Sequence, residues 1–129
     1  MRGKILIAAL VLIGAVAVAT ARAVPTRQSA LVRFTTPTVV AGAFVLGTVV
    51  FEHDDSAMAR GESCTTVYAY DTWKDERGKA IVDFMCEPRQ RSLATKFEAT
   101  CSRTFVTGPQ RLLEYQFAGD TEGHGVPDR

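Results

Sequence analysis

The chain has 129 residues, with fifteen basic and fourteen acidic side chains and a formal net charge of +1 at pH 7. A chain of this length is expected to form one small domain rather than several. A charge so close to zero gives no electrostatic reason to expect binding to nucleic acid or to an anionic membrane surface.

The first 23 residues have the three-part pattern of a secretory signal peptide. A short basic segment, residues 1–4, precedes an uncharged run at residues 5–19, and Ala-Arg-Ala at 21–23 has the form of a cleavage site. Cleavage after Ala23 leaves twelve basic and fourteen acidic residues, a net charge of −2. We therefore expect a periplasmic or secreted protein with no membrane span after cleavage. The alternative is an N-terminal anchor, but only about 17 uncharged residues are available before Arg22, whereas a span needs about 20 apolar residues.

Three cysteines in an exported chain predict one disulfide and one spare thiol. Residues 64–70 and 80–86 are predicted to form a hairpin around a charged turn. A symmetric register, with partner numbers that sum to 150, places Cys64 opposite Cys86, and it places both on one face with Tyr68 and Tyr70. Opposed positions need only a local adjustment to reach disulfide geometry. The competing pair is Cys86–Cys101, because Cys101 also falls on an apolar strand face.

The first half of the remaining chain reads as strands and one helical turn. Residues 24–30 resemble a flexible lead-in, and residues 31–34 a short first strand. The apolar segment 39–52 favours a central strand, or two short strands joined near Gly47, because it is rich in β-branched residues. A helical turn is predicted near residues 55–60, with an aspartate as its N-cap and Gly61 at its end.

The second half is ambiguous at residues 89–105, where Leu93, Phe97 and Cys101 recur every four residues as in a helix. A following alternating segment favours a second hairpin, with Cys101 near Phe117 and Phe105 near Leu113. Residues 119–129 are polar and glycine-rich, which is typical of an irregular tail. With a single domain at 31–118, the pattern predicts an all-β fold: a small antiparallel barrel or sandwich of about six short strands.

Both histidines lie beside carboxylates, which makes a metal site the most specific chemical hypothesis. His53 precedes two aspartates, while Asp120, Glu122 and His124 alternate and would share one side of an extended segment. Two histidines with a carboxylate form a normal ligand set for zinc or non-haem iron. No fixed-spacing motif such as His-Glu-x-x-His accompanies them. The predicted ligands of a divalent transition metal are therefore His53, His124, Asp120 and Glu122.

Trp73 is unusual because it lies in the charged turn of the first hairpin. An exposed tryptophan at that position could anchor an interface, or the ring could fold back over the sheet as a lid on the core.

No nucleophile elbow, P-loop, dinucleotide fingerprint or haem-attachment motif is present. The first functional hypothesis is therefore a non-enzymatic binding or structural module without a cofactor, whose partner is a protein, an envelope component or a small apolar ligand. The alternative is a metal-binding protein or metal-dependent enzyme that uses His53 and His124.

Overall fold

The computed structural model of the protein describes residues 27–103 and 108–128. The expected signal peptide at residues 1–23 and Phe105 of the expected second hairpin lie outside these ranges. The elements are β1 (Arg27–Val40), β2 (Ala43–Asp54), α1 (Asp55–Ala59), β3 (Thr65–Asp71), β4 (Glu76–Phe84), β5 (Glu87–Gln90), β6 (Glu98–Arg103), β7 (Gln110–Gln116) and β8 (Glu122–Gly125). In the described part of the chain, no helix has the length and apolarity needed to cross a membrane.

The described strands form one eight-stranded sheet in the order β4-β3-β2-β1-β7-β8-β5, with β6 paired to β7 off this path. Neighbours are antiparallel except β1 and β7, which are parallel where Thr38 and Val39 meet Gln110 and Arg111. The all-β prediction is confirmed. The finer expectation of a closed barrel or a two-sheet sandwich is replaced by a single sheet that does not close, with eight strands rather than about six.

Two segments expected to be irregular are strands. β1 already begins at Arg27, inside the expected lead-in, because its first residues pair in register with the end of β2. The expected tail contains β8, which pairs with β5 on one side and β7 on the other. Both segments are held by neighbouring strands rather than by their own apolar content.

A tight turn at Ala41 and Gly42, both with positive φ, divides the apolar segment 39–52 into β1 and β2. Gly47 also has a positive φ of 85° and lies opposite Phe34, where the register shifts. The two strands are therefore joined at residues 41–42 and not near Gly47, which instead marks an irregularity within the β1–β2 pair.

The β3–β4 hairpin has a different register from the symmetric one predicted. Thr65 pairs with Phe84 and Val67 with Val82, and two irregularities follow towards the tip. Thr65 and Val67 are therefore fully buried, whereas Tyr68 is only half-buried. The prediction that the tyrosines lie on the buried face of the hairpin is therefore wrong. A register shift of one residue moves every side chain of a strand to the other face.

The second hairpin forms between β6 and β7, and residues 91–97 are irregular rather than helical. Cys101 lies opposite Leu112, not Phe117, because the register shifts after Thr100. The core that results is aromatic: the Phe51 and Tyr115 ring centroids are 5.0 Å apart, and Phe117 meets Tyr115 edge-on at 5.5 Å. Both histidines are buried beside this cluster.

Candidate metal centre

His53 is a fully buried side chain on the core face of β2, in phase with Val49 and Phe51. Its Nε2 lies 2.9 Å from Asp55 Oδ1. A carboxylate oxygen accepts, so in the neutral ring Nε2 carries the proton and Nδ1 keeps its lone pair. A carboxylate that orients an imidazole in this way is a usual partner of a metal-binding histidine.

The short helix α1 fixes Asp55 beside His53. Asp54 Oδ1 accepts the backbone N–H of Ser56 at 2.9 Å and that of Ala57 at 3.4 Å, which is the N-cap predicted from the sequence. The helix therefore begins directly after the strand that carries His53. Strand, cap and carboxylate partner all come from three consecutive residues.

His124 is buried at the centre of β8, where it pairs with Tyr115 of β7 and Pro88 of β5. Its ring centroid lies 4.2 Å from that of His53 and 5.0 Å from that of Tyr115. Its Nε2 is buried without a hydrogen-bond partner among the described residues. An orphaned polar atom of this kind is uncommon in native proteins and calls for a functional explanation.

The two cysteines of the predicted pair meet beside the histidines. Cys64 precedes β3 and Cys86 lies in the two-residue link from β4 to β5, with Cα atoms 6.3 Å apart and sulfur atoms at disulfide-bonding distance. Cys64 N–H donates to Phe84 O at 3.2 Å, and the backbone N of Cys86 lies 3.0 Å from Cys64 Sγ. Cys101 is a free, half-buried cysteine, and burial raises the pKa of its thiol.

Both imidazoles converge on one sulfur atom. Cys86 Sγ lies 3.7 Å from Nδ1 of His53 and 3.7 Å from Nδ1 of His124. Within residues 27–103 and 108–128, these three side chains are the one group whose donor atoms all lie within 4.8 Å of each other. Zinc bond lengths of about 2.0–2.1 Å to nitrogen and 2.3 Å to sulfur place tetrahedral donors roughly 3.3–3.6 Å apart. The observed nitrogen–sulfur spacing needs an adjustment of only a few tenths of an ångström.

Burial sets the protonation of His124. It lowers the pKa of His124 to about 4, with a further contribution from the nearby His53. His124 is therefore neutral at neutral pH, which is the form that binds metal. Burial, together with the carboxylates of Asp120 and Asp55, raises the pKa of Glu122.

The two carboxylates predicted as ligands are not part of the three-residue group. Glu122 Oε1 lies 3.7 Å from His124 Nδ1 and is buried without a hydrogen-bond partner among the described residues. Asp120 Oδ1 instead accepts the backbone N–H of Glu122 at 3.0 Å, which holds the turn before β8. Glu122 thus lies at the edge of the cluster, and Asp120 serves the backbone.

Two surface cavities with different lining residues border the cluster. One of about 220 Å³ is lined by His53 and Cys64, with charged side chains around them. The other, of about 260 Å³, is lined by Cys86, Met85 and Gly125. Each cavity is lined by one of the two disulfide cysteines, so solvent approaches both Cys64 and Cys86.

The opposite face of β8 carries a cluster of charged side chains. Glu114 of β7 accepts hydrogen bonds from Arg89 at 3.0 Å and, through both oxygens, from Arg91 at 2.8 and 2.7 Å. A Cβ at Gly123 would lie 2.9 Å from the Glu114 carboxylate, and one at Gly125 would lie 2.8 Å from the Arg89 guanidinium. The glycines on either side of His124 therefore make room for this cluster.

Trp73 is 97% exposed at the tip of the β3–β4 hairpin. The turn beneath it is held by Asp71, whose side chain accepts the backbone N–H groups of Trp73 and Lys74 at 3.0 and 3.1 Å. The alternative that Trp73 folds back as a lid on the core is therefore wrong.

Comparison with protein-family models, with curated proteins and with solved structures found no match to this chain. The functional argument therefore depends on the geometry of the cluster itself.

Sequence reasoning missed one member of the cluster. Cys86 was assigned to the disulfide alone, although Pro88 and the end of β4 bring it next to both histidines. The inward direction of His53 could have been inferred, since it alternates in phase with Val49 and Phe51. The approach of His124 from β8 carries no comparable signal.

Proposed function

We propose that this protein is an exported metal-binding β module in which His53, His124 and the Cys86 thiolate hold a divalent transition-metal ion. The observation that carries the proposal is the convergence of two buried imidazole Nδ1 atoms on one sulfur, each at 3.7 Å. The orientation of His53 by Asp55 supports it, because it leaves Nδ1 of His53 free to bind the metal.

The donor set favours zinc over the hard cations. Imidazole and thiolate suit zinc and copper, whereas magnesium and calcium prefer oxygen ligands. A non-haem iron site would need a carboxylate in the cluster, and Glu122 lies only at its edge. Three protein ligands leave a fourth tetrahedral position for water or Glu122.

The metal proposal is tested by loading the full chain with zinc. The protein is reduced with a phosphine, desalted, incubated with excess Zn²⁺ and desalted again, and bound zinc is measured by mass spectrometry. We expect one zinc per chain, and roughly a tenth of that or less in the His53→Ala, His124→Ala double variant, because two of the three ligands are then absent. Cys101→Ser is the matched control and should retain zinc, because Cys101 is not among the clustered donors.

Cobalt substitution identifies the ligands independently of stoichiometry. A thiolate-to-cobalt charge-transfer band in the reduced protein, absent from Cys86→Ser and unchanged in Cys101→Ser, is the expected result. A reduced protein that holds no zinc, or a double variant that keeps it, would contradict the proposal.

Export is proposed from the sequence pattern of residues 1–23. An oxidising compartment also agrees with a cysteine pair at bonding distance. Secretion of a reporter fused after residue 30, and its loss when residues 5–19 are deleted, would test this. Retention of the intact leader on the mature protein would favour the N-terminal anchor instead.

A second function, capture of a partner protein, is favoured by Trp73. A tryptophan that is 97% exposed on a turn held by Asp71 presents a large apolar surface to solvent. We expect Trp73→Ala to weaken capture of an envelope partner while the melting temperature stays within about 1 °C, since surface substitutions change stability little. Lys74→Ala, at the same tip, is the matched control and should leave capture unchanged. Equal binding by wild type and Trp73→Ala would remove this candidate.

A further inference from the structure

We infer that the Cys64–Cys86 pair is a thiol–disulfide switch on the metal site, so that oxidation blocks metal binding and reduction permits it. This inference rests on the proposed metal site and concerns its regulation. The reason is that one sulfur atom, Cys86 Sγ, has two possible partners: Cys64 Sγ on one side and the two histidine Nδ1 atoms on the other.

The two states of Cys86 exclude each other. A thiolate is the form of cysteine that binds metal, and a sulfur engaged in a disulfide is not a thiolate. In the oxidised protein, the cluster offers only two imidazoles with a carboxylate at its edge. In the reduced protein it gains an anionic ligand that already faces both rings at 3.7 Å.

Cys64 is held by backbone hydrogen bonds that do not depend on the disulfide. Its N–H is bonded to Phe84 O, its carbonyl accepts Asp54 N–H at 2.9 Å, and its Sγ lies 3.0 Å from Cys86 N. Opening the disulfide therefore need not move the strand ends that carry the cluster. The N–H of Cys86 also stabilises a thiolate on Cys64, which favours Cys64 as the leaving sulfur.

Because Cys64 is the favoured leaving sulfur, Cys86 is the sulfur that is attacked. Cys86 lines the cavity formed with Met85 and Gly125, through which an external thiol can reach it. A thiolate of an external dithiol reductant attacks Cys86 Sγ, which forms a mixed disulfide and releases Cys64 as a thiolate that takes up a proton. The second thiol of the same reductant molecule then loses its proton. It attacks the reductant's own first sulfur, the one bonded to Cys86 Sγ in the mixed disulfide.

This second attack releases the Cys86 thiolate and leaves the reductant as a cyclic disulfide. Two electrons pass from the dithiol to the protein disulfide, and no further reactant is needed. The ion then binds the Cys86 thiolate and the two imidazoles. In the reverse direction, a low-molecular-weight disulfide oxidises both thiols and expels the ion.

The experiment measures zinc affinity in two redox states of the same full chain in a Cys101→Ser background. One sample is oxidised until a thiol reagent detects no free thiols, and the other is reduced and desalted without oxygen. Competition with a chromophoric zinc indicator gives each dissociation constant. We expect the oxidised protein to bind roughly 100-fold more weakly than the reduced protein, because it lacks the one anionic ligand of the cluster. This comparison requires no substitution in the site.

Two variants assign different roles to the two sulfurs. Cys64→Ser should bind zinc under both conditions, because Cys86 then has no partner with which to form the disulfide. Cys86→Ser should bind in neither. In wild type, bound zinc should slow oxidation by oxidised glutathione by roughly tenfold or more, since the coordinated thiolate is no longer free to attack. Zinc should appear in solution as thiols disappear.

The outcomes separate this inference from the proposed function. Equal zinc affinity in the oxidised and reduced protein would overturn the switch while leaving a histidine-based metal site in place. Absence of zinc binding in both states would overturn the metal site itself. Zinc that leaves the rate of disulfide formation unchanged would show that Cys86 is not a ligand, and would also refute the switch.

Discussion

The two faces of β8 differ in how they satisfy their polar groups. On the outer face, the Glu114 carboxylate receives three hydrogen bonds from Arg89 and Arg91 across Gly123 and Gly125. On the inner face, His124 is buried against His53, Tyr115 and the disulfide, with Nε2 unpartnered among the described residues. The Glu114 carboxylate on the outer face thus has its hydrogen bonds, whereas a buried nitrogen on the inner face lacks one among the described residues.

Within the four residues of β8, we therefore expect the outer face to stabilise the fold and the inner face to bind a ligand. Buried polar groups that serve only the fold are normally paired, because an unpaired one costs about 1–3 kcal/mol. The outer cluster obeys this rule and is expected to stabilise the strand. The inner cluster departs from it at His124 Nε2 and Glu122 Oε1, and such departures are common at functional sites.

The largest effect is expected from filling the space over Gly123. A Cβ there would meet the Glu114 carboxylate at 2.9 Å and Arg91 Cγ at 3.0 Å, and that carboxylate is fixed by two arginines. We expect Gly123→Ala to lower the free energy of unfolding by about 2 kcal/mol, as overpacking usually does. Chemical denaturation monitored by fluorescence measures it.

Gly125→Ala is the matched control for Gly123→Ala. Its Cβ would meet the guanidinium end of Arg89, a side chain that is 38% exposed and can move towards solvent. We expect less than half the loss seen for Gly123→Ala. Equal losses would mean that any side chain on this face disrupts β8, and that the Glu114 cluster has no particular role.

A smaller effect is expected from titration of Glu114. The hydrogen bonds from Arg91, and then those from Arg89, hold the pKa of this carboxyl below its usual value near 4.5. A carboxyl whose pKa is lowered on folding adds stability above its unfolded pKa, and this stability is lost as the pH falls through the folded value. The arginines are half-exposed, so we expect a contribution of only about 1 kcal/mol.

The measurement compares wild type with Glu114→Gln between about pH 7 and pH 3, a range that covers the titration of a carboxyl group. The variant should be less stable at the upper end, and the difference should shrink as the pH falls below about 4.5, because protonated Glu114 resembles glutamine. A difference that stays constant over this range would show that charge on Glu114 does not stabilise the fold.

The sequence predicted those features that depend on neighbouring residues. The aspartate cap of α1 and the left-handed Gly61 shortly after its end follow from short-range patterns. The meeting of Cys64 with Cys86 is confirmed, although the symmetric register from which it was predicted is not. The strand register did not follow, because bulges in the β3–β4 hairpin shift pairing by one residue without a clear sequence signal. The tyrosines were consequently placed on the wrong face.

The candidate site was predictable only in part. Its two histidines were selected for their residue type, but β8 could not be recognised, since its burial comes from side chains remote in sequence such as Arg89 and Glu114. Cys86 joins the site because the β4–β5 link passes beside both imidazoles. Such a meeting of distant segments depends on tertiary structure, and no local spacing encodes it.

The smallest effect on stability, and the sharpest test of the inner face, is expected from His124→Phe. A phenyl ring keeps the contacts with Tyr115 and His53 and removes the unpartnered Nε2. We expect the free energy of unfolding to stay the same or to rise by up to about 1 kcal/mol, while zinc binding by the reduced protein is lost.

His53→Phe should behave differently, because it removes the bond from Nε2 to Asp55 and should cost about 1 kcal/mol. Thermal and chemical denaturation of the oxidised proteins measure both variants, and His124→Leu controls for the slightly larger phenyl ring. A buried side chain that supports the fold is expected to cost more than about 2 kcal/mol of unfolding free energy when it is replaced. If both His124→Phe and His124→Leu show such a loss, His124 supports the fold, and the contrast between the two faces of β8 is wrong. If His124→Phe keeps the unfolding free energy of the wild type and loses zinc, His124 serves metal binding and does not stabilise the fold.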